Sequence, residues 1–298
     1  MIDRPIFVVG TGRSGLSPLL DLVAYHPEFA WPSNYHNKIK NPKTAAYFSR
    51  FVELPLISGQ IKYIRFMPAH AETYELWDRC YYGFRRPFRD LRKDDVTPHI
   101  INKFTQTMKD ILEGHGKKRI IVEYSGWSRI TFLKEIFPTA KFIHIIRDGR
   151  AVANSLTNVG FWHGWEGTSK WRWGDPGDEL LEKLEKYGNS FIALAAVQWK
   201  MLVSNIQTTG CQLPSDDFML IKYEDMVEDP LEVAAKCVKF CQVDGENQKF
   251  LNHLKTVTIV NANTSSYRIP AWKENYSTEQ ISMLDDLIGQ DLCYFGYS

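Results

Sequence analysis

Short apolar runs rich in β-branched residues recur along the chain and predict buried strands. They lie at residues 6–9, 120–122, 142–146 and 218–221. Continuous apolar runs of this length are typical of parallel strands that are covered on both faces. The pattern therefore favours a parallel sheet at the centre of the protein.

Helical periodicity fills most of the sequence between and after these runs. It predicts helices near residues 17–25, 98–113, 129–137, 149–158, 178–208 and 230–241. Strands that alternate with helices indicate right-handed βαβ crossovers and a three-layer, doubly wound α/β fold. We expect one domain over residues 1–298, with substrate or lid segments at 27–97 and 160–177. These two segments, and residues 256–276, lack a clear period, which is typical of regions that carry specificity.

Composition and charge narrow the class of protein. The chain has 298 residues, of which 44% are hydrophobic and 24% are charged, and these proportions exclude a disordered chain. Lysine and arginine together number 36 against 35 acidic residues, a formal net charge of +1. A surface built to bind nucleic acid would be strongly basic. Any anion site must therefore be local.

The positions of the cysteines and the hydropathy of the sequence exclude further classes of protein. The five cysteines are scattered and form no CxxC pair, so the sequence indicates neither a disulfide framework nor a metal site. No apolar run approaches the ~20 residues that cross a bilayer. The strand that begins at Ile6 leaves no room for a signal peptide before it. We expect a cytoplasmic protein with no membrane span.

A glycine-rich turn follows the first predicted strand. It reads Gly-Thr-Gly-Arg-Ser-Gly-Leu-Ser over residues 10–17 and leads into a helical pattern. Glycines let successive amide groups curl around a phosphate, to which a helix N-terminus adds partial positive charge. A Walker A loop would carry lysine where this chain has Leu16, and the cation here is Arg13. The turn therefore predicts a phosphate site but weakens an ATPase or kinase interpretation, and an ordinary tight turn is the alternative.

A second candidate anion site follows the strand at 142–146. Arg147 closes that strand, Asp148 is a plausible N-cap of the next helix, and Ser155 follows seven residues later. Seven residues make about two helical turns, so Ser155 lies ~10 Å along the face that starts at the cap. Arg147 and Ser155 are thus placed to hold one phosphate. The alternative is that Arg147 pairs with Asp148 or Glu123 on the surface.

Both motifs resemble those of a known family. Arg-Ser-Gly-x-Ser at 13–17 and Arg-Asp-Gly-Arg-Ala-Val-x-x-Ser at 147–155 resemble the phosphosulfate loop and the 3′-phosphate motif of sulfotransferases that use 3′-phosphoadenosine 5′-phosphosulfate (PAPS). The similarity is to the bacterial, carbohydrate and tyrosylprotein branch, and it extends to residues 123–146, 221–226 and 265–298. It implies a P-loop-like fold, PAPS as sulfuryl donor, adenosine 3′,5′-bisphosphate (PAP) as product, and no metal.

The resemblance also implies which residues bind the nucleotide. The 5′-phosphosulfate would be held by Gly12, Arg13, Ser14, Gly15, Leu16 and Ser17, the 3′-phosphate by Arg147 and Ser155, with weaker correspondences at Tyr223, Arg268 and Lys273. Arg13 would also act in catalysis, because its charge can neutralise the oxygen that leaves during in-line displacement.

The chain departs from the family pattern where a catalytic base is expected. Related proteins place glutamate or histidine after the first helix, but the corresponding positions here are Ser33 and Asn34. His36 is the nearest candidate, because the unperturbed histidine pKa of about 6.5 suits general-base catalysis. His70 and Glu53 are alternatives.

A further departure follows the strand at residue 120. Family members commonly read Glu-Lys-Thr-Pro there, whereas this chain reads Glu-Tyr-Ser-Gly at 123–126 and lacks the lysine. Together with the displaced base, this leaves open a catalytically weak nucleotide-binding module of the same fold. A P-loop kinase is the remaining alternative.

Aromatic residues crowd the segment 160–177 and predict an acceptor pocket. Trp162, Trp165 and Trp171 could stack on a sugar or a flat apolar ring, although aromatic residues also fill ordinary cores. The acceptor is expected to carry a hydroxyl group on a glycan, lipid, small molecule or peptide. A basic run at 85–93 would suit an acidic acceptor, but a solvated face explains it equally. We expect no nucleic-acid partner.

Overall fold

Five parallel strands form the sheet in the part of the chain that the computed structural model describes, residues 2–50, 67–85, 88–167, 171, 173–262 and 271–297. They are β1 (Ile6–Gly10), β2 (Phe29–Ala30), β3 (Arg119–Ser125), β4 (Lys141–Ile146) and β5 (Phe218–Lys222). Their order across the sheet is β2-β3-β1-β4-β5. The four predicted strands are confirmed, and β2 adds a short fifth strand at the edge.

Helices occupy most of the remaining described chain. They are α1 (Leu16–Val23), α2 (Pro42–Ser49), α3 (Tyr74–Asp78), α4 (Pro98–His115), α5 (Ile130–Ile136), α6 (Gly149–Thr157), α7 (Asp178–Lys186), α8 (Phe191–Gly210), α9 (Tyr223–Glu228), α10 (Pro230–Cys241), α11 (Gln248–Ala262), α12 (Ala271–Asn275) and α13 (Thr278–Tyr294). Local sequence sets several of their ends. Helix α4, for example, has Thr97 as its N-cap, proline at its first position and a left-handed Gly116 after its last.

The side chains of the strands alternate between two hydrophobic clusters on opposite faces of the sheet. Ile6 and Val8 pack with α1, α10 and α11, whereas Phe7 and Val9 pack with α3, α4 and α5. A third cluster joins α6, α8 and α13. Helices therefore cover both faces, which confirms the predicted three-layer, doubly wound α/β fold.

The strand register brings three strand ends to one place. Gly10, the last residue of β1, is paired with Ser125 on one side and with Ile145 on the other. The chain passes from β1 to β2 and β3 on one side of the sheet, and then to β4 and β5 on the other. The carboxyl end of β1 is thus a topological switch point, the position at which open α/β sheets bind ligands.

The longest helix, α8, is largely enclosed by protein. Its buried residues contribute to the clusters on both sides, including Ala193 and Trp199 in one and Ile206 in the other. Its apolar composition therefore reflects a position inside the fold. Among the described residues, no helix combines the length and the apolar composition needed to cross a membrane.

Some elements differ from the sequence prediction. The helix predicted over 178–208 is two helices, α7 and α8, because Gly188 and Asn189 adopt positive φ angles of 63° and 52°. Left-handed residues end a helix, and glycine and asparagine tolerate that conformation best. Helices α2 and α3 lie within 27–97, where the sequence shows no clear period, and the sequence pattern does not predict α9, α11, α12 or α13. These short or weakly amphipathic elements depend on the packing around them.

Three histidines are buried in the fold in the uncharged form. Burial is the main cause that lowers the pKa of His36 to about 4, and the pKa of His115 and of His144 to about 3. His70 behaves in the opposite way. Burial alone would lower its pKa, but contacts with the Glu123 and Asp21 carboxylates outweigh burial and raise the pKa to about 10.

These shifts predict a stability maximum near pH 6.5. Below about pH 6.5 these three histidines bind protons in the unfolded chain but stay neutral in the folded protein. As the pH falls, the free energy of unfolding therefore decreases by up to ~1.4 kcal/mol per pH unit for each of the three histidines. Above about pH 6.5 the folded state retains the His70 proton that the unfolded chain loses, so stability falls towards pH 10. Urea denaturation across this range measures both slopes.

Two variants separate these contributions. His70→Gln should flatten the alkaline slope, because it removes the group that holds the extra proton. His163→Gln is the control, since His163 is exposed and should leave the whole profile unchanged. An alkaline slope that is equal in wild type and His70→Gln would contradict the assignment of that slope to His70.

Candidate active site

The loop after β1 is a tight turn that opens helix α1. The Ser14 hydroxyl and amide both donate to the Thr11 carbonyl oxygen, at 2.7 and 3.2 Å. Arg13 and Gly15 adopt left-handed conformations with φ of 70° and 102°. Gly15 is the N-cap of α1 and has no side chain with which to cap it. The first amide groups of α1 therefore find no side-chain acceptor at the cap to which they could donate, an arrangement that suits an anion.

Tyr223 connects this loop to the end of β4. A Cβ atom at Gly15 would lie 2.3 Å from Cδ2 of Tyr223, so the ring packs directly against the glycine backbone. The Arg147 guanidinium lies 4.4 Å from the centroid of the same ring, within the range of a cation–π contact. The sequence motif around Tyr223 thus contributes a side chain between the two candidate anion sites.

The two predicted anion motifs also contact each other directly. Arg147 Nη1 donates to the Arg13 carbonyl oxygen at 3.2 Å, and Arg13 Nε donates to the Ser155 hydroxyl at 2.8 Å. Arg13, Arg147 and Ser155 are separated by up to 142 positions in sequence but form one hydrogen-bonded chain. Two guanidinium groups therefore stand at the adjoining ends of β1 and β4, where they provide charge for an anionic ligand.

The alternative in which Arg147 pairs with a nearby carboxylate is wrong. Asp148 forms a buried ion pair with Arg150, at 2.9 Å, and also accepts the Arg150 amide as the N-cap of α6. Glu123 accepts a hydrogen bond from His70 at 2.9 Å. Both carboxylates proposed for Arg147 are thus bound to other groups.

The remaining predicted loop residues face different environments. Leu16 and Ser14 are buried, with the Leu16 side chain in the core under α1. These two residues therefore offer a ligand their backbone groups only. Ser17 is exposed, and Gly12 lines a neighbouring pocket.

The C-terminal part of the predicted nucleotide site is only partly described. Lys273 is an exposed residue of α12, and its ammonium lies 5.6 Å from the Trp272 ring centroid. Helix α12 packs on α6 through a hydrogen bond of 3.3 Å between Asn275 and Asn154. Lys273 is thus on a helix that contacts the one carrying Ser155. Arg268 lies outside the described residues.

An aromatic pocket that is partly open to solvent adjoins the loop after β1. It is lined by Gly12, Glu72, Tyr74, Ser125, Leu156, Phe161, Trp162, His163, Gly164, Trp171, Trp173 and Gln198. Trp162 is fixed by a 2.8 Å hydrogen bond to Gln198, and Trp171 by a 2.7 Å bond to the Gly174 carbonyl oxygen. Trp162 and Trp171 thus both form part of the pocket wall, and their contact with an acceptor stays a prediction. Trp165 does not line it and is 56% exposed.

His36, the predicted base, is not in the pocket. Its side chain is fully buried, and its Nδ1 atom accepts a hydrogen bond from the Ser33 amide at 2.9 Å. With its pKa lowered to about 4 by burial, the ring caps a short helical turn at 34–37 in the neutral form. The expectation that His36 is the base is therefore corrected, because an acceptor cannot reach a side chain that solvent cannot reach.

The described structure does not support His70, the first of the two alternative bases. His70 is held between Asp21 and Glu123, at 3.1 and 2.9 Å, and the raised pKa keeps it protonated at neutral pH. An imidazolium has no lone pair with which to take a proton. Glu53 lies outside the described residues.

Sequence reasoning missed several polar residues of the pocket, among them Glu72 and Tyr74. Glu72 and Tyr74 lie in the segment without a clear period, far in sequence from Gly12. The Tyr74 hydroxyl donates to the Ser125 carbonyl oxygen at 2.9 Å, which attaches this segment to the end of β3. Substrate or lid segments are expected over the whole of 27–97, but no sequence signal singles out these two residues, because their positions depend on this tertiary contact.

Two arginines of the basic run at 85–93 form ion pairs in the described structure. Arg85 contacts Glu75 at 2.9 Å, and Arg89 contacts Asp95 at 2.6 Å. Both arginines are exposed. This pattern favours a solvated face over a site for an acidic acceptor, and Arg86 lies outside the described residues.

Comparison with known proteins identifies related sequences. The sequence model described as the Sulfotransferase family matches residues 5–247. The omega-hydroxy-beta-dihydromenaquinone-9 sulfotransferases Stf3 of Mycobacterium bovis and Mycobacterium tuberculosis are each 24% identical over 175 residues, or 53% of this chain. The match covers 45% of each mycobacterial protein, so the chain spans about half the length of these curated relatives.

Solved structures show the same fold. The sulfotransferase STF9 from Mycobacterium avium superposes with a TM-score of 0.61 at 15% identity, over 100% of this chain and 78% of that one. The sulfotransferase STF1 from Mycobacterium tuberculosis superposes with a TM-score of 0.54 at 14% identity, over 96% of this chain and 76% of the other. At these identities the similarity concerns the arrangement of strands and helices.

Proposed function

The chain belongs to the sulfotransferase family, and we propose that it transfers a sulfuryl group from PAPS to the hydroxyl group of an acceptor. The observation that carries this proposal is the contact between the two anion motifs, in which Arg147 binds the Arg13 carbonyl and Arg13 binds Ser155. A nucleotide with phosphates on both its 5′ and 3′ positions needs two neighbouring anion sites at a switch point of the sheet.

The donor would occupy both motifs at once. In this proposal the loop amides of residues 12–17 and the Arg13 guanidinium bind the 5′-phosphosulfate, as a turn that leads into a helix N-terminus does. Arg147 and Ser155 bind the 3′-phosphate. Tyr223 lies between the two groups, and Lys273 and Arg268 add charge from the C-terminal part of the chain.

The proposed chemistry is an in-line displacement at sulfur. The acceptor oxygen forms a bond to sulfur while the bond from sulfur to the 5′-phosphate oxygen breaks, and that oxygen keeps the electron pair. Arg13 stabilises the negative charge that develops there, because a guanidinium fixed in advance needs no reorganisation during the reaction. The products are a sulfate ester and PAP. The scheme uses arginine charge where phosphoryl-transfer enzymes use a metal ion.

The aromatic pocket beside Gly12 is the proposed acceptor site. Tyr74, Phe161, Trp162 and Trp171 give it flat apolar walls. Such walls fit a hydroxyl group carried on a planar or apolar body, since ring stacking and apolar burial supply the binding energy. The mycobacterial relatives are named for a hydroxylated menaquinone derivative, an acceptor of this general kind.

A sulfur-35 transfer assay tests the proposed function. Labelled PAPS is incubated with the protein, a chelator and a series of phenols, planar alcohols and isoprenoid alcohols, and the labelled esters are separated from free sulfate. We expect a labelled ester with at least one acceptor. Tight PAP binding without transfer to any of them would instead favour the nucleotide-binding module.

Two exposed aromatic residues provide a matched test of the pocket. Phe161 lines it and is 60% exposed, whereas Trp165 is 56% exposed and does not line it. We expect Phe161→Ala to raise the acceptor KM by about 5- to 10-fold through loss of an aromatic contact. PAP affinity should not change. Trp165→Ala should leave both quantities unchanged, and equal effects of the two variants would place the acceptor elsewhere.

A further inference from the structure

The chain segment 69–72 is attached to the position where the family pattern places a base. The Asn34 backbone amide donates to the Ala69 carbonyl oxygen at 3.0 Å, and the Ala71 backbone amide donates to the Pro32 carbonyl oxygen at 3.2 Å. Between them, Ser33 and His70 form an antiparallel bridge. The segment therefore runs beside Ser33, the residue that replaces the expected glutamate or histidine.

Glu72 lies at the end of this pairing and enters the acceptor pocket. Its carbonyl oxygen accepts from the Tyr74 amide at 2.9 Å, and Tyr74 is fixed to Ser125 at the end of β3. The Glu72 side chain is half-buried and lines the pocket together with Gly12 of the phosphosulfate loop. Burial and then the negative charge of Glu72 raise the pKa of the Tyr74 hydroxyl, because the Glu72 carboxylate lies near that hydroxyl.

The other ionisable groups near the site are less suited to the role of a base. His36 is buried away from the pocket, and His70 is held as an imidazolium between two carboxylates. Among the described residues that line the pocket, Glu72 is the one carboxylate and His163 the one imidazole. His163 is exposed on the outer segment 160–167, whereas Glu72 is on a segment fixed by hydrogen bonds at both ends.

We propose that Glu72 is the catalytic base, supplied from segment 69–72 in place of the residue absent at Ser33. The inference rests on the proposed sulfuryl transfer. As the acceptor oxygen attacks sulfur, its proton passes to the Glu72 carboxylate, and the sulfur–oxygen bond to the 5′-phosphate breaks with its electron pair on the phosphate. The proton on Glu72 then passes to solvent, so the step needs no other reactant.

The test compares Glu72→Gln with wild type in steady-state transfer and in PAP binding. The glutamine keeps the shape but removes the proton acceptor, so kcat should fall by ~100-fold or more. PAP affinity should stay within about twofold, because the carboxylate does not contact the nucleotide in this proposal. Glu75→Gln is the matched control. Glu75 lies one helical turn further along, pairs with Arg85 outside the pocket, and should leave kcat unchanged.

Acceptor acidity distinguishes a base from a structural residue. With a phenol that is already ionised at the assay pH, Glu72→Gln should lose little activity, whereas with an aliphatic alcohol it should show the full loss. Glu72→Asp keeps a carboxylate and should retain the acid limb of the pH–kcat profile, which Glu72→Gln should lack. If Glu72→Gln fails to fold, the pH–kcat profile of Glu72→Asp still tests the assignment.

The outcomes separate the inference from the function on which it rests. An active wild type whose Glu72→Gln variant keeps its kcat with aliphatic alcohols overturns the assignment of Glu72. The same follows if the loss is equal for ionised and neutral acceptors, or if His163→Gln alone removes the pH dependence. A wild type that neither binds PAP nor transfers sulfuryl groups overturns the proposed function instead.

Discussion

Replacing Gly15 by alanine is expected to weaken PAP binding at least ~100-fold, because a new Cβ strikes the residue that joins the two anion motifs. That atom would lie 2.3 Å from Tyr223 Cδ2 and 3.0 Å from Cε2. The φ angle of 102° is also unfavourable for any residue with a side chain. The loop or the Tyr223 ring must therefore move, and the stacked Arg147 guanidinium with it.

Calorimetric titration with PAP measures this loss, and urea denaturation measures the accompanying loss of stability. Gly188→Ala is the control, because Gly188 has a positive φ of 63° but no atom within 4 Å of the added Cβ. This substitution should lower the free energy of unfolding by about 1 kcal/mol and leave PAP affinity unchanged. Equal PAP affinities in wild type and Gly15→Ala would contradict a phosphate site in this loop.

Removing the Arg147 side chain is expected to weaken PAP binding by about 2 kcal/mol or more, roughly 30-fold. The guanidinium lies beside Tyr223 and Arg13, where the proposal places the 3′-phosphate. Because the proposal assigns this arginine to the 3′-phosphate alone, Arg147→Ala should barely change affinity for adenosine 5′-monophosphate, which lacks that phosphate. The two titrations together give the contribution of the 3′-phosphate contact.

A charge-matched control accompanies this variant. Arg85→Ala also removes one positive charge, but from an exposed ion pair with Glu75 outside the site. It should leave both affinities unchanged, which excludes an effect of net charge alone. If Arg147→Ala weakened the binding of the bisphosphate and of the monophosphate equally, the 3′-phosphate would not bind at the end of β4.

The arrangement of the proposed nucleotide site is predictable from sequence because its parts are local motifs. Each motif is a buried strand followed at once by a helix, so the pattern alone puts Arg13 and Arg147 at strand ends. Parallel pairing of β1 with β4 then brings these ends together. The contact of Arg13 with Ser155 spans these two strand ends, and the pairing of β5 with β4 brings Tyr223 to the same end of the sheet.

The acceptor half is not predictable in the same way. Glu72 reaches the pocket because residues 69–71 pair with 32–34, and such pairing leaves no periodic signal in sequence. The position of His36 in the sequence, shortly after the first helix, suits a catalytic base. Its ring, however, is buried and accepts a hydrogen bond from the Ser33 backbone amide. Sequence spacing defines where the backbone passes but does not determine which side chains are buried.

Calorimetric binding of PAP in the presence of a chelator, compared with ADP and, in parallel, with magnesium-ATP, decides whether this sheet edge holds two anion sites. We expect tight, metal-independent binding of PAP and at least ~10-fold weaker binding of ADP, which has no 3′-phosphate for Arg147 and Ser155. Preference for magnesium-ATP, or equal affinity for PAP and ADP, would contradict the two-site interpretation of this sheet edge.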